Sequence, residues 1–316
     1  MARLPPIARI DGTSAGTGFF LCGRKERRTG RSGVFLVLLL QDVTGELDAK
    51  VFHDVETASQ QFEVGEFVAV QGKGNVFNNR LELVIERIRR VIPEDRQAGF
   101  REEDCIPCSS QPLEEMWQEL ELHVGSVADP HIRGLLTRVM DLHGDRLKIW
   151  PAGRQVHHAY RSGLLEHVLQ IMQISTLVAE QYGLRRDLLI AGALLHDIGK
   201  LQELSYETAI SYSVEGNLVG HIVIGAGMLR DVLRGLPEFP PDLALEIEHL
   251  ILSHHGTKAL GSPVTPMTAE ALVLSAIDDL DAKLHQVKRH LADDNSPGPF
   301  TTYHRYLERV LLKSKG

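Results

Sequence analysis

The chain is predicted to fold as two domains, an all-β barrel followed by an all-α helical bundle. Three observations carry this. Residues 1–92 alternate β-rich runs with turn residues. Residues 93–112 are polar and have no period, as a linker would. From Leu113 onward the apolar residues recur at helical spacing, which assigns 113–316 to helices. A chain of 316 residues accommodates both domains, and 43% hydrophobic with 24% charged residues is ordinary globular make-up.

In the first part, "GFFLCGRKE" (18–26), "GVFLVLLLQD" (33–42), "GELDAKVF" (45–52), "GEFVAVQGKGNVFN" (65–78) and "RLELVIERIRR" (80–90) read as strands. "HDVETASQQ" (53–61) reads as one short helix between the third and fourth. Five strands with a helix after the third is the order of an OB-fold barrel, a frequent binder of single-stranded nucleic acid. The hairpin "RKERRTGRSG" gathers Arg24, Lys25, Arg27, Arg28 and Arg31, and Phe35, Phe52 and Phe77 offer stacking surfaces. The competing reading is a solvated hairpin tip over core phenylalanines.

The net charge of −8 is uneven: residues 1–92 carry +2 and the remainder −10. An acidic body behind a slightly basic module still binds a polyanion if cations neutralise the site. The run "GVFLVLLL" (33–40) is too short to span a membrane. "MARLPPIARIDG" has no apolar signal core, so a cytoplasmic location is expected. Cys22, Cys105 and Cys108 make no disulfide framework, which agrees with a reducing compartment.

The chemistry lies in the helical part. "LLHDIGK" (194–200) sets His196 and Asp197 at the end of an apolar helix, with Lys200 just beyond. Buried ionisable groups are costly unless paired or bound to metal. His167 sits on the apolar face of "GLLEHVLQI", His221 opens a helix, His254 and His255 end another, and Asp278 and Asp279 lie in "LSAIDDLDAKL". Any one of these is commonly a packed core residue. Together, on several helices of one bundle, they match the way bundles build metal sites from facing side chains. Such N/O donors suit Mn, Fe, Co, Ni or Zn. Gly199 is expected to let the chain turn, and Lys200 to aim its charge into the same pocket.

This arrangement resembles the HD-domain metal-dependent phosphohydrolases, whose pattern runs H…HD…D. The resemblance implies that His167, His196, Asp197 and Asp278 hold a first ion and that Asp197 bridges. His221 with His254, or with His255, would hold a second. The expected cofactor is therefore two divalent transition-metal ions, manganese first among them.

Over a longer stretch, "VHHAYRSGLLEHVL", "AGALLHDIGK", "EGNLVGHI", "LILSHHG", "GSPV" and "DDLDAKL" look like the YhaM-type 3′–5′ exoribonucleases, which join an OB-fold to an HD domain. That resemblance implies release of nucleoside 5′-monophosphates from the 3′ end of single-stranded RNA, with DNA as a further substrate left open. Asp197 and Lys200 would be the catalytic pair. His157, His158, Tyr160 and Arg161 either contact the terminal nucleotide or pack a loop. Arg24, Lys25, Arg27 and Arg28 would meet the strand on the barrel. Two other readings stand beside it: a nucleotide or cyclic-nucleotide phosphohydrolase with a regulatory barrel, and a nucleic-acid-binding protein with a vestigial HD site. An apolar surface on the acidic helical domain is compatible with a homo-oligomer.

Overall fold

The computed structural model describes residues 2–30, 33–77, 80–153, 158, 160–206 and 210–313. Arg31 and His157 lie outside them. The chain divides into two compact units, with the boundary between Cys108 and Ser109. Among the described residues no helix is long and apolar enough to cross a membrane.

The first unit contains β1 (Ala15–Gly30), β2 (Gly33–Asp42), β3 (Gly45–Val51), α1 (Val55–Gln60), β4 (Phe67–Phe77) and β5 (Arg80–Arg90). The strands close into a barrel in the order β1-β2-β3-β5-β4. This is the OB topology expected from the strand order. β1 serves two neighbours: Ala15–Leu21 pairs with β4, and Leu21–Gly30 pairs with β2. A bulge between Cys22 and Arg24 bends the strand between these partners. Parallel pairing of Ala49 with Leu83 and Val51 with Ile85 completes the closure. Leu36, Leu38 and Leu40 alternate inward from β2 onto Val68, Val70, Leu83 and Ile85. Burying each such side chain stabilises the barrel by about 1.5–3 kcal/mol.

The stretch 93–112 is not an extended linker over most of its length. Pro93–Arg96 and Glu102–Asp104 form 3₁₀ turns, and Phe100 is buried with its ring 5.4 Å from those of Phe19 and Phe67. Asp95 accepts two hydrogen bonds from the Arg89 guanidinium, at 2.6 and 2.8 Å. One aromatic anchor inside a polar run is enough to dock it on the barrel. Burial pushes the Cys22 thiol up to about 11 and the Cys105 thiol up to about 12, so neither is a reactive thiolate.

The second unit contains α2 (Leu113–Gly125), α3 (Pro130–Ile149), α4 (Gly163–Tyr182), α5 (Arg186–Leu195) and α6 (Lys200–Glu203). A hairpin of β6 (Leu204–Tyr206) and β7 (Ile210–Tyr212) precedes α7 (Val214–Val219), α8 (His221–Leu233), α9 (Pro241–Ser253) and α10 (Ala269–Asp293). Every residue from Leu188 to Leu195 in α5 is buried, which explains why that helix is apolar all round. It packs against α4, α9 and α10, the helices that bear the other site residues. The helical assignment made to residue 316 does not hold over 300–313. Pro297 and Pro299 interrupt helical bonding, and the segment is held by bridges Phe300–Leu312 and His304–Arg309. Asp294 accepts from the backbone N–H groups of Ser296 and Thr302.

Gly199 has an ordinary helical φ of −63°, so it is not there to permit a turn. A Cβ at this position would lie 2.0 Å from the His221 carbonyl oxygen. The glycine is required because the start of α8 crosses directly over the HD turn.

Candidate metal centre

Five segments bring their polar groups to one buried point. His167 comes from the inward face of α4, and His196 and Asp197 from the turn that follows α5. His221 is the first residue of α8, His254 caps α9, and Asp278 lies in the middle of α10. Asp197 stands at the centre. Its Oδ2 is 3.6 Å from His167 Nε2 and 3.4 Å from His196 Nε2. Its Oδ1 is 3.4 Å from His221 Nε2 and 3.6 Å from His254 Nε2. Asp278 Oδ1 lies 3.3 Å from His167 Nε2. His167, His196 and Asp278 form one group able to hold an ion, and His221, His254 and His255 form another.

Hydrogen bonding on the far side of each ring turns Nε2 toward the centre. His196 Nδ1 meets the Ala193 carbonyl at 2.9 Å and His254 Nδ1 the Ile251 carbonyl at 2.7 Å. His167 Nδ1 meets Asp281 Oδ2 at 2.8 Å, and His221 Nδ1 meets Glu203 Oε1 at 3.0 Å. A ring that donates from Nδ1 presents the lone pair of Nε2, the form a metal requires. Among the described residues, three atoms here are buried without a hydrogen-bond partner: Asp197 Oδ1, His221 Nε2 and His254 Nε2. Leaving such atoms unsatisfied costs about 1–3 kcal/mol each. They converge on one another, so a cation among them resolves all three. The donor set therefore fits metal ions.

The electrostatics agree. Burial opposes ionisation of Asp197, yet the Lys200 ammonium, 2.6 Å from Oδ2, and the surrounding imidazoles hold its carboxyl well below the usual range. Asp278 is likewise held low against burial, by His167 and His196. Burial, with His196 beside it, pushes His254 well below the ordinary imidazole value and keeps it neutral. Burial works against charge on His167 too, but the Asp278 and Asp281 carboxylates raise it to about 9. A site that attracts a proton this strongly attracts other cations.

All the residues expected as ligands meet here, with two refinements. His254 is fully buried against Asp197, whereas His255 lies further out, with Nδ1 on the Leu260 carbonyl at 2.9 Å. Asp279, the neighbour of Asp278, points away and pairs with Lys283. Asp281 and Glu203 were not anticipated. Each sits three residues beyond a site residue on its own helix, Asp278 and Lys200, and that spacing was the available signal.

Other expected contacts fall elsewhere. His158 is buried, with Nδ1 2.8 Å from the Tyr160 hydroxyl and Nε2 3.3 Å from Asp281. Tyr160 in turn donates to Glu166 at 3.0 Å. Both thus stand behind His167. Arg161 is half-buried, and its carbonyl accepts from the Ser109 N–H. On the barrel, Lys25 donates to the Ser59 and Phe62 carbonyls and to Glu63, so it caps the end of α1. Arg24 pairs with Asp48, Arg27 with Glu56 and Arg28 with Glu26. Among the described residues, each of these four hairpin cations is thus paired with an acid. Phe52 and Phe77 are 43% and 56% exposed, so they are not core.

Fold and site together define an HD-domain hydrolase that carries an OB-fold. The HD domain model matches residues 164–283, and the OB-fold nucleic acid binding domain model matches residues 19–91. The chain is 34% identical over 270 residues to the 3′-5′ exoribonuclease YhaM of Bacillus subtilis (strain 168), covering 84% of each chain. It is 35% identical over 268 residues to that of Shouchella clausii (strain KSM-K16), covering 84% of this chain and 82% of the other. The protein of Geobacillus sp. (strain WCH70) is 34% identical over 269 residues, with 84% and 81% covered. The chain belongs to the YhaM family of 3′-5′ exoribonucleases.

Proposed function

We propose that the protein shortens single-stranded RNA from its 3′ end, releasing nucleoside 5′-monophosphates, and that two divalent ions serve the reaction. The observation that carries this reading is the division of Asp197: one carboxylate oxygen faces His167 and His196, the other faces His221 and His254. His167, His196, Asp197 and Asp278 would hold one ion, and Asp197, His221 and His254 the other, with His255 at its outer edge. When bound, the ions supply Lewis acidity that activates water and stabilises charge on the attacking and leaving oxygens.

The chain's own residues do the rest. Asp197 fixes the spacing between the halves and holds Lys200 against itself. Lys200 stays charged: burial opposes its ammonium, but the Asp197, Asp278 and Glu203 carboxylates together outweigh that opposition. That ammonium is poised to stabilise the phosphoryl oxygens as negative charge builds. Asp278 and His221 retain some solvent exposure, which supports entry of a chain end from their side. A base-paired end would have to unpair before it fitted so enclosed a site. The OB-fold, with Phe52 and Phe77 exposed, supports binding of a single strand upstream of the cleaved end.

The test is a 5′-labelled oligoribonucleotide followed in time, with and without chelator. A descending ladder that stops on chelation and returns with Mn²⁺ is expected. Immediate internal fragments would show endonucleolytic cutting instead, and rapid hydrolysis of a cyclic nucleotide without shortening of the oligomer would transfer the assignment to a nucleotide phosphohydrolase.

A further inference from the structure

The imidazoles around Asp197 are oriented in two different ways. His196 and His254 lean on main-chain carbonyls three residues back, Ala193 and Ile251. His167 and His221 lean on buried carboxylates, Asp281 at 2.8 Å and Glu203 at 3.0 Å. One of each kind falls on each side of Asp197. His167 and His196 face Oδ2, and His221 and His254 face Oδ1.

The two carboxylates have separate supports. Asp281 also takes His158 Nε2 at 3.3 Å, and His158 is itself fixed by an unusual backbone, with φ at +46°. A non-glycine residue in that region costs about 1–3 kcal/mol and persists only where the surroundings hold it. Gly163 is part of that hold, since a Cβ there would lie 2.1 Å from the His158 carbonyl oxygen. Glu203 takes the His221 backbone N–H at 3.0 Å as well as the ring, so a single oxygen fixes both the start of α8 and its first side chain. The two carboxylates stand on α10 and α6, and no hydrogen bond links them among the described residues.

We infer that Asp281 and Glu203 are positioning residues that act separately, each setting the ion affinity of one half of the centre. Asp281 serves the half built on His167, and Glu203 the half built on His221. The inference rests on the two-ion reading above. A carboxylate behind a ligating imidazole fixes the ring's orientation and raises its basicity, and losing one costs about 10–100-fold in metal affinity. Because His196 and His254 rest on backbone, side-chain substitution leaves one well-oriented imidazole in each half.

Calorimetric titration of the full-length, metal-stripped protein with Mn²⁺ reads the two halves without reference to turnover. The wild type should bind two ions. Asp281→Asn and Glu203→Gln should each weaken one ion by about 10–100-fold and leave the other near its wild-type affinity. Pairing assigns the halves. Asp281→Asn should add nothing to His167→Ala but should weaken the ion that remains in His221→Ala, with the reverse pattern for Glu203→Gln. His158→Asn, which keeps Asp281 and suits the positive φ but is too short to donate from the Nε2 position, should weaken the same ion as Asp281→Asn by a smaller factor. This variant carries the test if Asp281→Asn does not fold. Equal weakening of both ions by either carboxylate variant, or no weakening by both, overturns the inference. A wild type that binds fewer than two ions overturns the two-ion reading itself, and the wild-type titration reveals this first.

Discussion

Lys200 Nζ lies 2.6 Å from Asp197 Oδ2, while Oδ1 of the same carboxylate has no hydrogen bond among the described residues and faces His221 and His254. One buried carboxylate is thus half neutralised by the chain and half left for something else. The main chain strengthens the arrangement. The Trp150 indole N–H donates to the Lys200 carbonyl at 2.9 Å, and the Arg146 guanidinium donates to that of Leu201. The turn carrying His196, Asp197 and Lys200 is therefore tied down from α3 and from the residue that follows it.

Replacing Lys200 by alanine should lower kcat by about 10²–10³ with little change in KM, because a fixed charge near the phosphoryl group matters most as charge develops. The same change should destabilise the metal-free protein far more than the metal-loaded one. Removing one partner of a buried pair leaves the other uncompensated, at about 3–5 kcal/mol, unless a cation covers it. Thermal melts with and without Mn²⁺, beside steady-state kinetics, check both parts. An unchanged kcat would remove Lys200 from the reaction.

Asp197→Ala should abolish turnover and strip the protein of bound metal, since both halves of the site lose their shared carboxylate. Elemental analysis of the purified variant provides the measurement. Retention of a full metal complement would show that Asp197 does not bridge. Asp279→Ala, one turn position away and paired only with Lys283 in the contacts described, serves as the control and should change neither quantity.

Much of this centre was legible in the sequence, and the reason is geometric. A ligand on an apolar helix face or at a helix end breaks the expected pattern of polar outside and apolar inside, so His167, His196, Asp197 and His254 stand out. Asp281 and Glu203 were hidden because an acid on an amphipathic helix reads as a solvated charge until its partner is known. Phe100 was hidden for the opposite reason, as a lone aromatic within a polar stretch. The pairing of the basic hairpin was not legible because its acidic partners, Asp48 and Glu56, come from β3 and α1. Pairing across a barrel is not visible in a local charge count.

Loading with metal should release about one proton near pH 7.5, because ligation replaces the proton that His167 carries in the metal-free state. Its imidazole is raised from 6.5 to about 9, with burial opposing charge and the Asp278 and Asp281 carboxylates prevailing. The sign for stability follows. A group raised on folding contributes stability that is fully present below pH 6.5 and lost as pH rises through about 9. The chelated protein should therefore melt progressively lower across that window, whereas the metal-loaded protein should not share the loss. Calorimetry in buffers of different ionisation enthalpy counts the proton. Absence of any release at pH 7.5 would mean that His167 is already neutral there.

Binding of single strands should depend on the barrel's aromatics more than on its arginines. Arg24, Arg27 and Arg28 are engaged by Asp48, Glu56 and Glu26, so contact with a phosphate requires an existing ion pair to break. Exposed pairs of this kind are weak, yet each exchange gains correspondingly little. Phe52 and Phe77 need no such exchange. Phe52 lies against Phe35 with centroids 5.6 Å apart, and the Lys50 ammonium sits 5.2 Å from the Phe77 centroid, so both rings are held with a face available. Stacking contributes about 1–3 kcal/mol per base, so Phe52→Ala and Phe77→Ala should each weaken oligonucleotide binding by about 5- to 150-fold. Hydrolysis of a small phosphodiester that reaches only the metal centre should be unchanged. Arg27→Ala should cost little and shift the slope of log affinity against log salt by less than the ~0.7 of a full phosphate contact. Anisotropy titrations of a labelled oligomer at several salt concentrations measure all of these. If Arg27→Ala proves costlier than either phenylalanine variant and flattens the salt slope by a full contact, the strand is held by the hairpin's charge rather than by the rings.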